Sequence, residues 1–107
     1  MGEIIVYITA GSEDEAAQIA RVLVEDKYAA CVNIIRNIRS LYRWEGQIQD
    51  DKEVLMIVKT TEPLFNALEE KVRQMHSYST AEIIAFPITK GSDKYLTWVR
   101  ESVTVKE

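Results

Sequence analysis

The chain of 107 residues has few of the residues that mark several common classes of protein: one cysteine, one histidine, two prolines and four glycines. Because Cys31 has no second cysteine with which to pair, an internal disulfide is excluded. An unpaired thiol is better tolerated in a reducing compartment than in an oxidising one. The cysteine content therefore predicts a cytoplasmic protein.

Long apolar runs and an excess of basic charge are missing as well. The longest apolar candidate, residues 54–58, is far shorter than the roughly 18 residues that a membrane-spanning helix needs. Seventeen acidic against thirteen basic side chains give a net charge of -4, so the chain has no general attraction for a polyanion. We therefore expect neither a membrane nor a nucleic acid as a partner.

The short signatures of nucleotide, redox and metalloprotease sites are also absent, since the sequence has no P-loop, GxGxxG, CxxC or HExxH motif. What is present is the composition of an ordinary globular protein, with 47% hydrophobic and 28% charged residues. The sequence contains no repeat, linker or low-complexity segment. We therefore expect a single domain over residues 1–107 and no enzyme activity.

The first part of the chain predicts a strand followed by a helix. Residues 3–9 are rich in β-branched side chains, which favour a strand. Ser12 and Glu15 form a capping box, which predicts a helix that runs to about Lys27. Apolar residues recur at helical spacing on its predicted core face, namely Ala16, Ile19, Ala20, Leu23 and Val24.

Residues 29–60 predict one long β-hairpin with a tight turn at Gly46. The unbroken apolar run 54–58 indicates a strand that is buried on both faces. A second helix is predicted to begin near Pro63. Its apolar stripe consists of Leu64, Phe65, Ala67, Leu68 and Val72. Residues 81–88 predict a further strand, and a last helix is predicted to carry Leu96, Val99 and Val103.

The predicted order of elements is β, α, β, β, α, β and a final α. This order is typical of an α+β, ferredoxin-like fold, in which an antiparallel sheet carries its helices on one face. If Leu41 packs against the helices, the alternating side chains Tyr42 and Trp44 form an aromatic stripe on the open face of the sheet. Large exposed aromatic side chains usually mark a contact with a partner, and a second copy of the chain is the simplest one.

Two side chains could carry metal or nucleophile chemistry. Cys31 offers a thiolate, although a cysteine in an apolar strand is more often a small buried hydrophobe. His76 follows the second predicted helix, where it could hold a ligand or simply cap the helix. A tetrahedral zinc site needs about four ligands, so Met75, Glu82 or another subunit would have to contribute. Lys59, Tyr78 and Glu82 are further polar candidates at strand ends and in the following loop.

Four segments of the sequence resemble the CutA family, also described as divalent cation tolerance proteins. They are AACVN at residues 29–33, SLYRWEG at 40–46, the stretch 53–61 and DKYLTW at 93–98, and together they extend the resemblance over almost the whole chain. The resemblance implies a ferredoxin-like subunit that forms a tight homotrimer, in which Tyr42 and Trp44 contact neighbouring subunits. It also implies a link to copper or another divalent cation, with no cofactor required.

The CutA family is similar in architecture to PII signal-transduction proteins, whose intersubunit clefts bind small effectors. A comparable pocket is implied at Cys31, Trp44, Lys59, His76, Tyr78, Glu82 and Trp98. The leading hypothesis is therefore a cytoplasmic homotrimer that binds copper or another divalent cation through His76, Met75 and Cys31. The alternative is a PII-like signalling or scaffold trimer that binds a small anion through Lys59 and Tyr78.

The sequence departs from the family pattern at several positions. Some family members have a cysteine where Ile8 stands and a histidine where Met75 stands, so this chain keeps only His76 of that set. Prolines that are common in the loop after the second helix are replaced by Ser77 and Ala81. We therefore expect weaker support for metal binding and a less rigid loop than in those members.

Overall fold

The computed structural model describes residues 2–106, which form a four-stranded antiparallel sheet and three α-helices. The strands are β1 (Glu3–Ala10), β2 (Cys31–Trp44), β3 (Gln47–Thr61) and β4 (Ile83–Pro87). The helices are α1 (Glu13–Glu25), α2 (Phe65–Met75) and α3 (Asp93–Glu101), and a 3-10 turn at Glu62–Leu64 precedes α2. The sheet order is β2-β3-β1-β4, so the expected ferredoxin-like fold is confirmed. No helix in the described part of the chain is long and apolar enough to cross a membrane.

The core lies between one face of the sheet and the helices α1 and α2. Alternate residues of β1 and β3 point to this face, because successive side chains of a strand point in opposite directions. The strand residues buried there are Ile4, Val6, Ile8 and Ala10 of β1 and Val54, Met56 and Val58 of β3. The helices cover them with Ala16, Ile19, Leu23, Leu68 and Val72.

The start of α1 confirms only half of the predicted capping box. The Ser12 hydroxyl accepts a hydrogen bond of 3.1 Å from the backbone N–H of Glu15, as an N-cap should. The Glu15 carboxylate instead accepts hydrogen bonds from the backbone N–H and the hydroxyl of Ser77, at 3.0 and 2.8 Å. Glu15 therefore ties α1 to the loop that follows α2.

The hairpin of β2 and β3 consists of the two longest elements of the subunit, whose longest dimension is 44 Å. At its turn Glu45 and Gly46 both have positive φ, at 51° and 78°, as a type I′ turn requires. The pairing register shifts between Ile35 and Ile38, and Asn37 there has a φ of 63°. Beyond this irregularity the hairpin projects away from the helices and forms a tip.

Four details of the predictions are corrected. Leu41 is 63% exposed because it lies on the projecting tip, beyond the reach of the helices. Val24 is exposed because it lies at the edge of the α1 core stripe, and Val103 follows the end of α3. The apolar run 54–58 is fully buried on one face only, since Leu55 and Ile57 point away from α1 and α2 and are half-buried.

The face of the sheet opposite α1 and α2 is apolar, and we call it the open face. Seven large apolar side chains from the four strands lie on it: Ile5, Tyr7, Ile35, Leu55, Ile57, Ile84 and Phe86. Ile84 is 53% exposed and Phe86 is 40% exposed, while the Phe86 ring packs edge-to-face on Tyr7 at 5.1 Å. A contiguous apolar surface of this kind marks a contact with another molecule.

Candidate functional site

His76 follows α2 directly and is the most tightly bound polar side chain of the predicted site. It is only 8% exposed, and its Nε2 lies 2.7 Å from the carbonyl oxygen of Thr9. Its Nδ1 lies 3.0 Å from the backbone nitrogen of Tyr78. Since a carbonyl can only accept and a backbone N–H can only donate, Nε2 carries the proton and Nδ1 is the acceptor. Both ring nitrogens are therefore in use within the subunit.

Tyr78 extends from the same loop toward the hairpin. Its hydroxyl donates a hydrogen bond of 3.0 Å to the carboxylate of Glu53, on β3. Gly11 lets the phenol approach closely, because a Cβ added there would lie 3.0 Å from the Tyr78 hydroxyl oxygen. Burial of the ring, followed by its hydrogen bond to Glu53, raises the pKa of Tyr78 to about 12. The phenol of Tyr78 is therefore protonated at neutral pH and donates a hydrogen bond.

A cleft of about 830 Å³ opens between the tip of the hairpin and the loop after α2, and we call it the hairpin cleft. Its walls include the aromatic side chains Tyr42, Trp44 and Tyr78. Three carboxylates also line it, those of Asp51, Glu53 and Glu82. The Tyr42 hydroxyl donates a hydrogen bond of 2.6 Å to Asp51, which raises the pKa of Tyr42. The cleft is therefore aromatic and acidic.

A second cluster lies at the other end of the hairpin. Cys31 and Lys59 are directly paired across β2 and β3, on the open-face side of the sheet. Lys59 Nζ donates to the Asn33 side-chain oxygen, and Cys31 Sγ lies 3.9 Å from the same oxygen. Burial raises the pKa of Tyr95, which interacts with the Cys31 side chain. The Tyr95 ring lies 5.5 Å from that of Trp98, so this cluster joins a thiol, an amine and two aromatic rings.

The predicted pocket residues thus divide into two groups within one chain. Trp44, Tyr78 and Glu82 line the hairpin cleft, and His76 lies directly behind Tyr78. Cys31, Lys59 and Trp98 belong to the cluster at the opposite end. Cys31 and Trp44 are the two ends of β2, which places them about 40 Å apart along the strand. A single pocket lined by both groups requires at least two subunits.

The predicted metal ligands are not brought together in one chain either. Met75 packs against the core, and His76 bonds to Thr9. Cys31 pairs with Lys59, which in turn pairs with Ile5, four residues or about 13 Å along β1 from Thr9. Within residues 2–106 no group of three or more His, Cys, Asp or Glu side chains is placed to hold a metal ion. The described residues of one subunit therefore do not fit a metal centre.

The alternative small-anion site lacks support in the same way. Glu53, the partner of Tyr78, lies six residues from Lys59 along β3, which is about 20 Å. The cleft around Tyr78 is lined by carboxylates, which repel an anion. Lys59 and Tyr78 therefore do not form a basic site within one subunit.

Sequence reasoning predicted Glu82 but missed the other two acidic side chains of the hairpin cleft, Asp51 and Glu53. Asp51 and Glu53 lie at alternate positions of β3, the same spacing that places Tyr42 and Trp44 on one face of β2. Pairing the two strands in register would have placed these four side chains on the same side of the hairpin. The same step would have brought Lys59 beside Cys31, for which the linear sequence offered no basic neighbour.

These features define an α+β, ferredoxin-like protein with a long projecting hairpin and an apolar open face. A family model described as CutA1 divalent ion tolerance protein matches residues 4–102. The chain therefore belongs to the CutA family of divalent-cation tolerance proteins.

Individual relatives agree with this assignment. The protein "Divalent-cation tolerance protein CutA" of Thermus thermophilus is 47% identical over 100 residues, which cover 94% of this chain and 97% of the relative. "Protein CutA, chloroplastic" of Arabidopsis thaliana is 46% identical over 99 residues, which cover 92% of this chain but 54% of the relative. The crystal structure of CutA1 from Oryza sativa matches with a TM-score of 0.95 at 42% identity, covering 99% of this chain and 97% of that one.

Proposed function

We propose that this chain acts in divalent cation tolerance as a homotrimer, and that any ion it binds, copper first among them, is held between subunits. The observation that carries the proposal is the apolar open face of the sheet. Ile84 and Phe86 leave about half of their surface in water in the isolated subunit. Burying a large apolar side chain contributes about 1.5–3 kcal/mol, so covering this face would stabilise an assembly substantially.

The free edges of the sheet favour a closed ring. β2 and β4 are the two edge strands, and unpaired edge strands tend to pair with another chain. In a head-to-tail ring, the β4 side of each subunit contacts the β2 side of the next. Once the ring closes, no edge strand is left unpaired. Such a ring places the hairpin tip, with Tyr42 and Trp44, against a neighbouring subunit.

The same arrangement is the only route to the predicted pocket. The groups around Trp44 and around Cys31 are too far apart in one chain to contact the same ligand. The Cys31 thiolate is a soft ligand, which favours copper(I). His76 can join a metal site only by giving up its hydrogen bond to Thr9 or to Tyr78. We therefore assign Cys31 the leading role, with His76 and Met75 as further proposed ligands.

The trimer is tested by replacing Ile84 with aspartate and measuring mass by light scattering. The wild type should have the mass of three 12.3-kDa chains, and Ile84→Asp should shift it toward one chain because a charge cannot be buried in an apolar contact. The matched control is Val24→Asp, since Val24 is similarly exposed but lies on α1, away from the open face. A monomeric wild type, or an Ile84→Asp trimer, contradicts the proposal.

Metal binding is tested by native mass spectrometry of the metal-free protein with one equivalent per chain of copper(I), copper(II) or zinc. We expect a saturable complement of copper on the trimer that Cys31→Ser removes. His76→Gln should reduce it less, because both nitrogens of His76 already have partners. A trimer that takes up none of the three ions contradicts direct metal binding while leaving the assembly intact.

We also propose that the protein works in the cytoplasm, since its single thiol, Cys31, has no partner for a structural disulfide. The Arabidopsis relative is described as chloroplastic, so the compartment needs its own experiment. Fractionation of source cells with compartment markers should place the protein with the cytoplasmic marker. Recovery in a periplasmic or organelle fraction contradicts this part of the proposal.

A further inference from the structure

The helix α3 packs apart from the other two helices. Among residues 2–106, the core beneath α1 and α2 includes no side chain of α3. Instead Arg100 of α3 donates a hydrogen bond to the carboxylate of Glu3, and Tyr95 of α3 interacts with the side chain of Cys31. Glu3 and Cys31 lie on the open-face side of the sheet, because each alternates along its strand with residues that face α1 and α2. The helix α3 therefore covers one end of the open face.

Few contacts hold α3 in place. Val99 is the one fully buried side chain of this helix, whereas α1 buries four. The ion pair of Arg100 with Glu3, at 2.9 Å, attaches the helix to β1 through a carboxylate that is only 5% exposed. After the helix, the backbone N–H of Thr104 donates to the carbonyl of Lys27 at 3.0 Å. An element with so few buried apolar contacts opens locally at a lower free-energy cost than the core does.

The thiol of Cys31 lies beneath this helix. Cys31 is half-buried, and Tyr95, in the first turn of α3, contacts its side chain. The sulfur also lies 3.9 Å from the side-chain oxygen of Asn33, to which the amine of Lys59 donates a hydrogen bond. Movement of α3 away from the sheet would carry Tyr95 with it, and would uncover the thiol and the amine together.

We propose that α3 is a lid over Cys31, and that it opens by local unfolding while the sheet and the other two helices remain folded. The ion pair of Arg100 with Glu3 and the burial of Val99 hold the lid closed. That the lid regulates access of a metal ion rests on the proposed function, in which Cys31 is the leading ligand. The movement of α3 requires no metal, so the lid is tested on the metal-free protein and its failure is distinct from a failure of metal binding.

The test is the rate at which the assembled protein reacts with the aromatic disulfide dithionitrobenzoate, in the range where this rate is proportional to the probe concentration. The Cys31 thiolate attacks one sulfur of the probe, forms a mixed disulfide and releases one coloured thionitrobenzoate anion. We expect Arg100→Met to raise the rate by about threefold to tenfold, because one partly buried ion pair is lost. Val99→Ala should raise the rate at least as much, without changing any charge near the thiol.

Two matched variants separate local opening from other routes to the thiol. Arg73→Met removes a surface ion pair of α2, at 3.7 Å, and should leave the rate unchanged. Leu68→Ala weakens the core under α2 but should change the rate by less than about twofold, because α2 stays in place when the lid opens.

Three results overturn the proposal. A rise in Leu68→Ala equal to that in Val99→Ala shows that the thiol reacts through global unfolding. A rate that falls as the protein concentration rises shows that the thiol reacts after the subunits dissociate. An unchanged rate in both Arg100→Met and Val99→Ala shows that α3 does not control the thiol, as when a neighbouring subunit holds the helix in place.

Discussion

Replacing His76 with alanine should destabilise the protein more than its position in a surface loop suggests. The pairing of β1 with β4 ends at Ile8 and Ile83. The His76 ring donates a hydrogen bond to the carbonyl of Thr9, the next residue of β1. The same ring accepts the backbone N–H of Tyr78 and so holds the loop against β1. Alanine removes both hydrogen bonds and leaves the space of an imidazole.

The magnitude follows from these contacts. A buried backbone group that loses its hydrogen-bond partner costs about 1–3 kcal/mol. His76→Ala leaves the buried carbonyl of Thr9 and the partly buried N–H of Tyr78 without this partner, and the cavity adds to the cost because the surrounding structure collapses only in part. Water that enters the opened loop will recover some of this energy. We therefore expect a loss of about 3–5 kcal/mol in the free energy of unfolding.

The measurement is urea unfolding followed by circular dichroism at one fixed protomer concentration, because assembly makes stability depend on concentration. His76→Gln should lose less than His76→Ala, since the glutamine amide can still donate to the carbonyl of Thr9. Gln74→Ala is the matched control, because Gln74 is exposed in the last turn of α2 and alanine suits a helix.

A loss below about 1 kcal/mol for His76→Ala, similar to that of Gln74→Ala, would refute this reasoning, because a buried and a partly buried hydrogen bond cannot be so weak together. The two ring nitrogens would then have to be satisfied differently from the arrangement described. The same result would free His76 for metal binding, which the present hydrogen bonds oppose.

Three further predictions test other parts of the structure. Spectrophotometric titration should show one phenol that ionises near 12, later than the usual value of about 10, and Tyr78→Phe should remove it. Leu68→Ala should cost about 2–5 kcal/mol in urea unfolding, whereas Val24→Ala at an exposed site should change it by less than about 0.5 kcal/mol. The hydrogen bond from Arg100 lowers the pKa of Glu3, so Arg100→Met should lower the urea midpoint at pH 7, and the difference from wild type should shrink as pH falls below about 4.3.

The last of these predictions follows from the direction of the pKa shift. A carboxyl whose pKa is lower in the folded state than in the unfolded state stabilises the fold above its unfolded pKa. That contribution disappears as pH falls through the folded value, because protonation then costs the ion pair. A difference between Arg100→Met and wild type that grows toward acid pH would contradict the assigned direction.

The order and type of the elements could be read from the sequence because local patterns control them. Ser12 caps α1 as predicted, and the hairpin turns at Gly46. The predicted apolar stripe of the second helix is buried at Leu68 and Val72 of α2, and at Leu64 in the 3-10 turn before it. The observed ends of the helices and strands differ from the predicted ones by a few residues, since these ends depend on tertiary contacts that local patterns do not contain.

The candidate site could be predicted only as a set of residues and not as an arrangement. Trp44, Tyr78 and Glu82 do share a cleft, but Cys31 lies about 40 Å away along β2. The sequence did not predict Glu53 as part of the cleft, because Glu53 becomes a neighbour of Tyr78 only when the loop after α2 folds back on β3. Contacts of this kind join positions that are distant in the chain and leave no local pattern.

The sequence by itself determined the fold class, the strand and helix order and the family, because these depend on periodicity, capping and motifs that each lie within a short segment. Only the tertiary structure decided that both nitrogens of His76 are occupied, that the open face is apolar across all four strands, and that the hairpin cleft is acidic. The physical reason is register. The register of strand pairing determines which side chains share a face. The neighbours on that face then determine how buried each side chain is, which charges surround it and which hydrogen bonds it makes.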